Sequence, residues 1–79
     1  MSDSSKRLLS TLMVLGAQSP ERALAIEELA GRMGVGSQEV ESELKRLVDA
    51  GYARMVRQPG TSKVYLTGTG IITASSTYS

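Results

Sequence analysis

The stretch from residue 36 to residue 67 constrains the fold of this chain more than any other part of it. Apolar residues recur at helical spacing between residues 37 and 50, and Gly51 follows them, which predicts an amphipathic helix ended by a glycine. Residues 52–57 and 63–67 are rich in β-branched and aromatic side chains and are separated by a Pro-Gly turn. The sequence therefore predicts a helix that leads directly into a β-hairpin.

Charge is distributed unevenly along the chain. The formal net charge is only +1, yet all eight acidic side chains lie before residue 50. Residues 50–79 carry Arg54, Arg57 and Lys63 without any carboxylate. The predicted hairpin is therefore the basic part of the molecule, which favours an anionic partner there.

Two further helices are predicted before this stretch. Residues 6–16 carry leucines and a methionine at helical spacing, with residues 3–5 as candidate caps. The apolar residues of 26–33 fall at i, i+3, i+4 and i+7, which predicts a short second helix. Residues 17–22 contain a proline and predict a loop, and the apolar run 23–26 is too short to be a helix of its own.

Two helices joined by a glycine-containing turn, the second longer and amphipathic, are typical of a helix-turn-helix. The segment IEELAGRMGVGSQEVESELKRLVDAGYARMV resembles the helix, turn, helix, glycine and first wing strand of the winged helix-turn-helix family, and VYLT resembles its second wing strand. The resemblance covers residues 8–67. It implies an α+β fold, a three-helix bundle with a C-terminal two-stranded β-hairpin wing. It also implies duplex DNA binding, of the transcription-regulator type, with the third helix in the major groove.

We divide the chain into a flexible N-terminus (residues 1–5), a winged helix-turn-helix domain (6–67) and a Gly/Ser/Thr-rich segment (68–79) that is either a tail or a short extra element. Family members often begin another helix at a threonine followed three residues later by a glycine, a spacing that Thr67 and Gly70 match. The glycines and β-branched residues of this segment are poor helix formers, which argues against that helix.

The outer face of the third helix supplies one set of candidate contacts. With the apolar face turned inward, a rotation of about 100° per residue places polar side chains on the other side. Glutamine can pair with adenine, serine with base or phosphate, lysine and arginine with guanine or the backbone, and glutamate with cytosine N4. The candidates are Gln38, Glu39, Ser42, Lys45 and Arg46.

Three glutamates of this helix, Glu39, Glu41 and Glu43, count against DNA binding by it. Carboxylates near the groove oppose the approach of phosphates, which dominate DNA affinity. A simpler interpretation is that these residues are solvated, with Glu41 and Lys45 spaced as an i, i+4 ion pair. The helix alone therefore leaves its own function open.

The predicted hairpin supplies the second set. Cations, hydroxyls and backbone amides at a hairpin tip can hold phosphate oxygens, and arginine can also enter a minor groove. The alternative is that strand cations only discourage edge-to-edge aggregation. Because no acid balances them after residue 49, we favour nucleic-acid contact. The candidates are Arg54, Arg57, Gln58, Thr61, Ser62 and Lys63.

Several other functions are disfavoured by composition. The chain has no His and no Cys, which removes the common zinc ligand sets and the imidazole and thiolate catalysts, so we expect neither an enzyme nor a cofactor. No apolar run approaches the length of a membrane span. We expect an intracellular, cytoplasmic protein without a membrane partner, associated with the nucleoid if it binds DNA.

Two protein partners stay open. The first is a second copy of the chain, bound through the first helix or the C-terminal segment to form a homodimer. The second is a protein partner that binds the acidic face of the third helix. In that case the winged helix would serve as a protein-interaction module in a larger assembly. An exposed apolar patch would favour such a partner, and its candidates are Tyr52, Tyr65, Ile71, Ile72 and Tyr78.

Overall fold

The computed structural model describes the backbone of residues 2–78 and the side chains of residues 2–76. Its helices and strands follow the order expected for a helix-turn-helix with a hairpin. They are α1 (Asp3–Val14), a 3-10 turn (Pro20–Arg22), β1 (Leu24–Ala25), α2 (Ile26–Met33), α3 (Ser37–Asp49), β2 (Ala53–Gln58), β3 (Thr61–Leu66) and α4 (Gly68–Tyr78).

The two helices predicted around the turn are confirmed. Helix α2 has the predicted bounds, and α3 begins at the predicted Ser37. Gly34 ends α2 in the left-handed conformation, with φ of 69°, which glycine adopts without steric cost. Ser37 is the first residue of α3 and not its cap, because Gly36 occupies the cap position.

The hairpin is confirmed, and its register is now defined. Strands β2 and β3 are antiparallel, with Ala53 opposite Leu66 and Gln58 opposite Thr61. Val64 and Leu66 are buried on the inner face of the hairpin, and Ala53 shares that face. The two remaining residues, Pro59 and Gly60, make the turn.

A third strand was not predicted. Leu24 and Ala25 pair with Val64 and Lys63, so the sheet order is β1-β3-β2 and β3 is central. A two-residue strand carries no periodicity that a sequence pattern could reveal.

The 3-10 turn before this strand includes Glu21. The pKa of its carboxyl group lies below its ordinary value, because its own backbone amide and the Ser19 hydroxyl donate hydrogen bonds to the carboxylate.

The core forms where the helices meet the inner face of the sheet. Burying a leucine or valine side chain contributes about 1.5–3 kcal/mol relative to leaving it exposed, so these few residues supply much of the stability of a small domain. The largest fully buried side chains are Leu8, Leu9, Leu12, Leu29, Leu44, Leu47, Val64 and Leu66.

Helix α1 begins earlier than predicted. Residues 3–5, assigned above to a flexible N-terminus, form its first turn, because the Ser2 hydroxyl accepts a 3.2 Å hydrogen bond from the Ser5 amide. Ser5 itself is buried, with 4% of its surface exposed. Ser2, and not a residue of 3–5, is therefore the cap.

The segment after the hairpin is a helix, so the propensity argument against one was wrong. The Gly70 amide donates to the Thr67 hydroxyl (3.0 Å), which caps α4 and itself donates to the Gly51 carbonyl (2.7 Å). A Cβ at Gly70 would overlap the Tyr52 carbonyl oxygen. Gly70 is thus required for close packing of α4 on the turn between α3 and β2, and that packing outweighs its low helix propensity.

None of the helices within residues 2–78 combines the length and the apolar character that crossing a bilayer requires.

Candidate nucleic-acid interface

The outer face of α3 carries exposed polar side chains. Gln38, Ser42 and Lys45 are exposed, while Val40 and Leu44 on the opposite side are buried. The helix is held by its apolar face, so the polar side chains on the other face are free to meet a partner. The geometry therefore allows α3 to present a polar surface to a groove.

Four of the five predicted α3 residues line clefts that α3 forms with α1. Glu39 is exposed and lines a cleft of about 410 Å³ between α1 and α3, together with Ser4, Arg7, Gln38, Ser42 and Glu43. Arg46 lines a second groove beside Ser2, Ser5 and Tyr52. Both side chains therefore border α1, one near each end of α3.

Glu43 is hydrogen-bonded to α1. Its carboxylate accepts a 2.6 Å hydrogen bond from the buried Ser5 hydroxyl, and the side chain is half-buried. A short hydrogen bond to an ionised acceptor is among the stronger ones in proteins. One of the three glutamates that counted against DNA binding is thus committed to α1, a role that no local sequence pattern indicates because 38 residues separate the partners.

The predicted ion pair between Glu41 and Lys45 is not formed. In the described part of the chain the ion pair is between Arg32 and Glu28, at 3.5 Å on the surface of α2. Exposed pairs of this kind contribute little to stability. Glu41 and Lys45 are both exposed, and the charge of Lys45 is available to a partner.

The candidate residues of the hairpin fall into two groups, one at its tip and one farther along its strands, here called the shaft. Arg57 and Ser62 are paired next to the turn, and Gln58 and Thr61 close it. Arg54 lies about 10 Å farther down β2 at the usual rise per residue, and Lys63 sits half-buried on the central strand. The sequence prediction grouped these six residues, but the structure separates them.

Strand alternation also separates the three cations between faces. Arg54 is opposite Tyr65 and Val56 is opposite Lys63, so Arg54 and Lys63 lie on one face of the hairpin as diagonal neighbours. Arg57 lies on the other face, in line with Met55. A partner on one face would therefore meet Arg54 and Lys63 together, whereas Arg57 reaches a partner at the tip.

Comparison with known proteins gives structural relatives only. No family model matches the chain, and no curated protein matches it. Among solved structures, a candidate DNA-binding protein from Ralstonia eutropha JMP134 matches with a TM-score of 0.85 and 20% identity, over 100% of this chain and 99% of that one. TubR from Bacillus megaterium matches with a TM-score of 0.81 and 18% identity, over 89% and 78% of the two chains.

A substituted MarR from E. coli in complex with operator DNA matches with a TM-score of 0.81 and 18% identity, over 99% of this chain and 54% of that one. The present chain thus spans about half the length of the MarR chain. The fold is a winged helix-turn-helix. At these identities the similarity concerns the fold, in which β2 and β3 form the wing.

A carboxylate lies beside the wing tip in space, although none occurs there in sequence. The Thr61 hydroxyl donates to the Glu27 carboxylate of α2 at 3.3 Å. The contact joins the tip to the start of α2 and brings a negative charge to a segment that has no acidic residue of its own. Only the folded arrangement, which joins residues 34 apart, reveals it.

The predicted apolar patch is smaller than expected. Tyr52, Tyr65 and Ile71 are half-buried, while Ile72 is 70% exposed on α4. The side chain of Tyr78 lies outside the described residues. Val14, which the sequence analysis did not consider, is 66% exposed at the end of α1.

Proposed function

We propose that this chain binds duplex DNA and acts as a transcription regulator, with α3 in the major groove and the wing on phosphates or in the minor groove. The main support for this proposal is the exposed polar face of α3, next to a wing whose two strands contain three cations and no carboxylate. A groove-sized helix and a basic flank are the two features that this mode of binding requires.

In this proposal the α3 residues differ in their tasks. Gln38 and Ser42 lie near the start of the helix and read base edges, glutamine pairing best with adenine. Lys45 reaches guanine or the backbone from the same face. Glu39 and Arg46 lie toward the α1 flank, where glutamate can accept from cytosine N4 and arginine can bind phosphate.

The wing residues hold the backbone in this proposal. Arg57 enters the minor groove or binds phosphate from the tip, and the Gln58, Thr61 and Ser62 side chains add neutral donors there. Arg54 and Lys63 bind phosphates along one face of the shaft. The MarR structure with operator DNA supports the proposal, because the matched half of that chain has the same fold and the complex contains operator DNA.

We also propose a homodimer through α4. This helix carries no charged side chain along Gly68–Tyr78 and exposes Ile72. In a twofold interface each patch meets its own copy, so a charge-free helix avoids the repulsion that a charged one would bring. Two copies would double the DNA contacts, which a small domain needs for useful affinity.

A protein partner on the acidic face of α3 has less support. Glu43 is occupied by Ser5, which leaves Glu39, Glu41 and Asp49 among Lys45 and Arg46 on the exposed surface. The exposed face of α3 therefore carries charges of both signs. The chain is proposed to act by binding without catalysis, and DNA binding would place it in the cytoplasm at the nucleoid.

Selection of duplexes from a random pool tests the sequence-reading role of α3. We expect the wild type to enrich a defined site, and Gln38→Ala or Ser42→Ala to weaken discrimination at one or two positions by about 1–3 kcal/mol. Ser37→Ala is the matched control for Ser42→Ala, because Ser37 is also exposed on α3 but lies off its outer face. Enrichment of no sequence by the wild type would contradict base reading.

A further inference from the structure

Arg7 is an exposed cation of α1 whose position is fixed by another helix. Its terminal nitrogen Nη2 donates a 2.7 Å hydrogen bond to the Met33 carbonyl, 26 residues away in sequence and at the end of α2. The last carbonyls of a helix lack partners within it, and a cation near them is favourable. This hydrogen bond favours one position of the guanidinium, beside the end of α2.

This bond leaves most of the arginine unused. A guanidinium has five N–H donors in a planar fork, and the Met33 carbonyl takes one of them. The ion pair present among residues 2–76 is Arg32–Glu28, so Arg7 makes no carboxylate contact within 4.0 Å there. Its charge is consequently available to an anion, and the fork geometry suits a phosphate.

Arg7 lies beside the surface that α3 presents. It lines the cleft between α1 and α3 with Gln38, Glu39 and Ser42, which are the residues proposed to face the groove. Of the two carboxylates among the described residues that line this cleft, Glu43 is bound by Ser5. Glu39 is the exposed one, and Arg7 offsets its charge.

Arg7 and the wing tip contact different ends of α2. The wing tip contacts the start of α2 through Thr61 and Glu27, whereas Arg7 contacts its end at Met33. An eight-residue helix is about 12 Å long, so the two contacts are separated by the length of α2. The Arg7 side chain and the wing tip therefore lie at opposite ends of α2.

We propose that Arg7 is a phosphate contact of the DNA complex, beside α3 and at the opposite end of α2 from the wing tip. The inference rests on the proposed DNA binding and adds a contact to it. Phosphate contacts fix the position of a helix in the groove, and the wing tip can supply them only from its own end of α2. Arg7, positioned by Met33, supplies one from the other end.

The salt dependence of binding to a labelled duplex of mixed sequence tests this role, since phosphate contacts need no particular sequence. We expect Arg7→Gln to make the slope of log K against log salt less negative by about 0.9, the value for a single neutralised phosphate. Arg7→Lys keeps the charge and should retain the wild-type slope. Arg22→Gln, the matched control, removes an exposed charge near Gly16 at the far end of α1 and should leave the slope unchanged.

The outcomes separate this inference from the proposed function. A wild type that binds with a steep slope, together with an Arg7→Gln slope equal to it, overturns the Arg7 contact alone. A wild type without salt-dependent binding overturns DNA binding and the contact with it. If Arg7→Gln lowers the melting temperature, the slope is measured below its melting temperature beside Arg7→Lys, and an equal slope in both variants still overturns the contact.

Discussion

The Ser5 hydroxyl and the Glu43 carboxylate are joined by a 2.6 Å hydrogen bond that connects the first turn of α1 to the middle of α3. Ser5 is buried and Glu43 half-buried, so the bond is partly shielded from water. It has two consequences. The bond joins α3 to α1, and it engages one of the carboxylates that border the surface proposed to meet DNA.

Removing this hydroxyl should destabilise the protein. In Ser5→Ala the Glu43 carboxylate loses its donor while partly buried, which costs about 1–3 kcal/mol of unfolding free energy. Urea unfolding measures this loss of unfolding free energy. Ser4→Ala is the matched control, since Ser4 is exposed, and it should change stability by less than about 0.5 kcal/mol. Equal stabilities of the two variants would show that the bond contributes nothing.

Gly70 gives a second stability prediction. Gly70→Ala places a Cβ on the Tyr52 carbonyl oxygen, so α4 must shift away from the turn between α3 and β2, and we expect a decrease in stability of about 1–3 kcal/mol or more. Gly68→Ala makes the same change where no atom lies within 4 Å, and should be neutral or slightly stabilising. Thermal unfolding compares them, and a melting temperature for Gly70→Ala at or above that of Gly68→Ala contradicts the packing.

These two sites show why part of the fold was predictable and part was not. The helices α2 and α3 and the hairpin have strong local signals: apolar periodicity, a glycine cap and a Pro-Gly turn. Helix α4 has weak local signals. It forms because Thr67 caps it and Gly70 allows close approach to Tyr52. The cap is local, whereas the Thr67–Gly51 hydrogen bond and the approach to Tyr52 depend on an earlier part of the chain.

The candidate site divides in the same way. Helical rotation placed Gln38, Ser42 and Lys45 on an exposed face, where the structure has them. No sequence pattern indicates the three pairs that join distant parts of the chain, because helical and strand periodicity report only on near neighbours. Their effect is electrostatic, so local charge counts alone misjudged how the carboxylates are distributed around the site. The pairs are Ser5 with Glu43, Thr61 with Glu27, and Arg7 with Met33.

Glu27 should weaken DNA binding. Its carboxylate accepts a hydrogen bond from Thr61 at the wing tip, and a negative charge there opposes phosphate. Glu27→Gln keeps an acceptor and removes the charge, so we expect affinity for duplex DNA to rise a few-fold at low salt. Glu28→Gln is the control, because it removes the same charge from the neighbouring residue, which pairs with Arg32. A rise in the control equal to that in Glu27→Gln would mean that net charge alone matters.

The two parts of the wing should differ in what they contribute. Arg57 lies at the tip and on a different face from Arg54 and Lys63. We expect Arg57→Ala to reduce the preference for sites with a narrow minor groove, because arginine inserted there responds to groove width. Arg54→Ala with Lys63→Ala should weaken all duplexes alike. Competition between A-tract and mixed-sequence duplexes measures the difference, and identical profiles would exclude a minor-groove role for the tip.

The most direct test of duplex DNA binding is a titration of labelled DNA across a range of salt concentrations. It compares the wild type with a variant in which Arg54, Arg57 and Lys63 are all replaced by alanine. DNA binding through the wing predicts that the wild type binds at low salt and weakens as salt rises, and that the slope of the variant is less negative by about 0.9 for each phosphate that these cations neutralise. No binding by the wild type at low salt, or the same slope in both proteins, would contradict it.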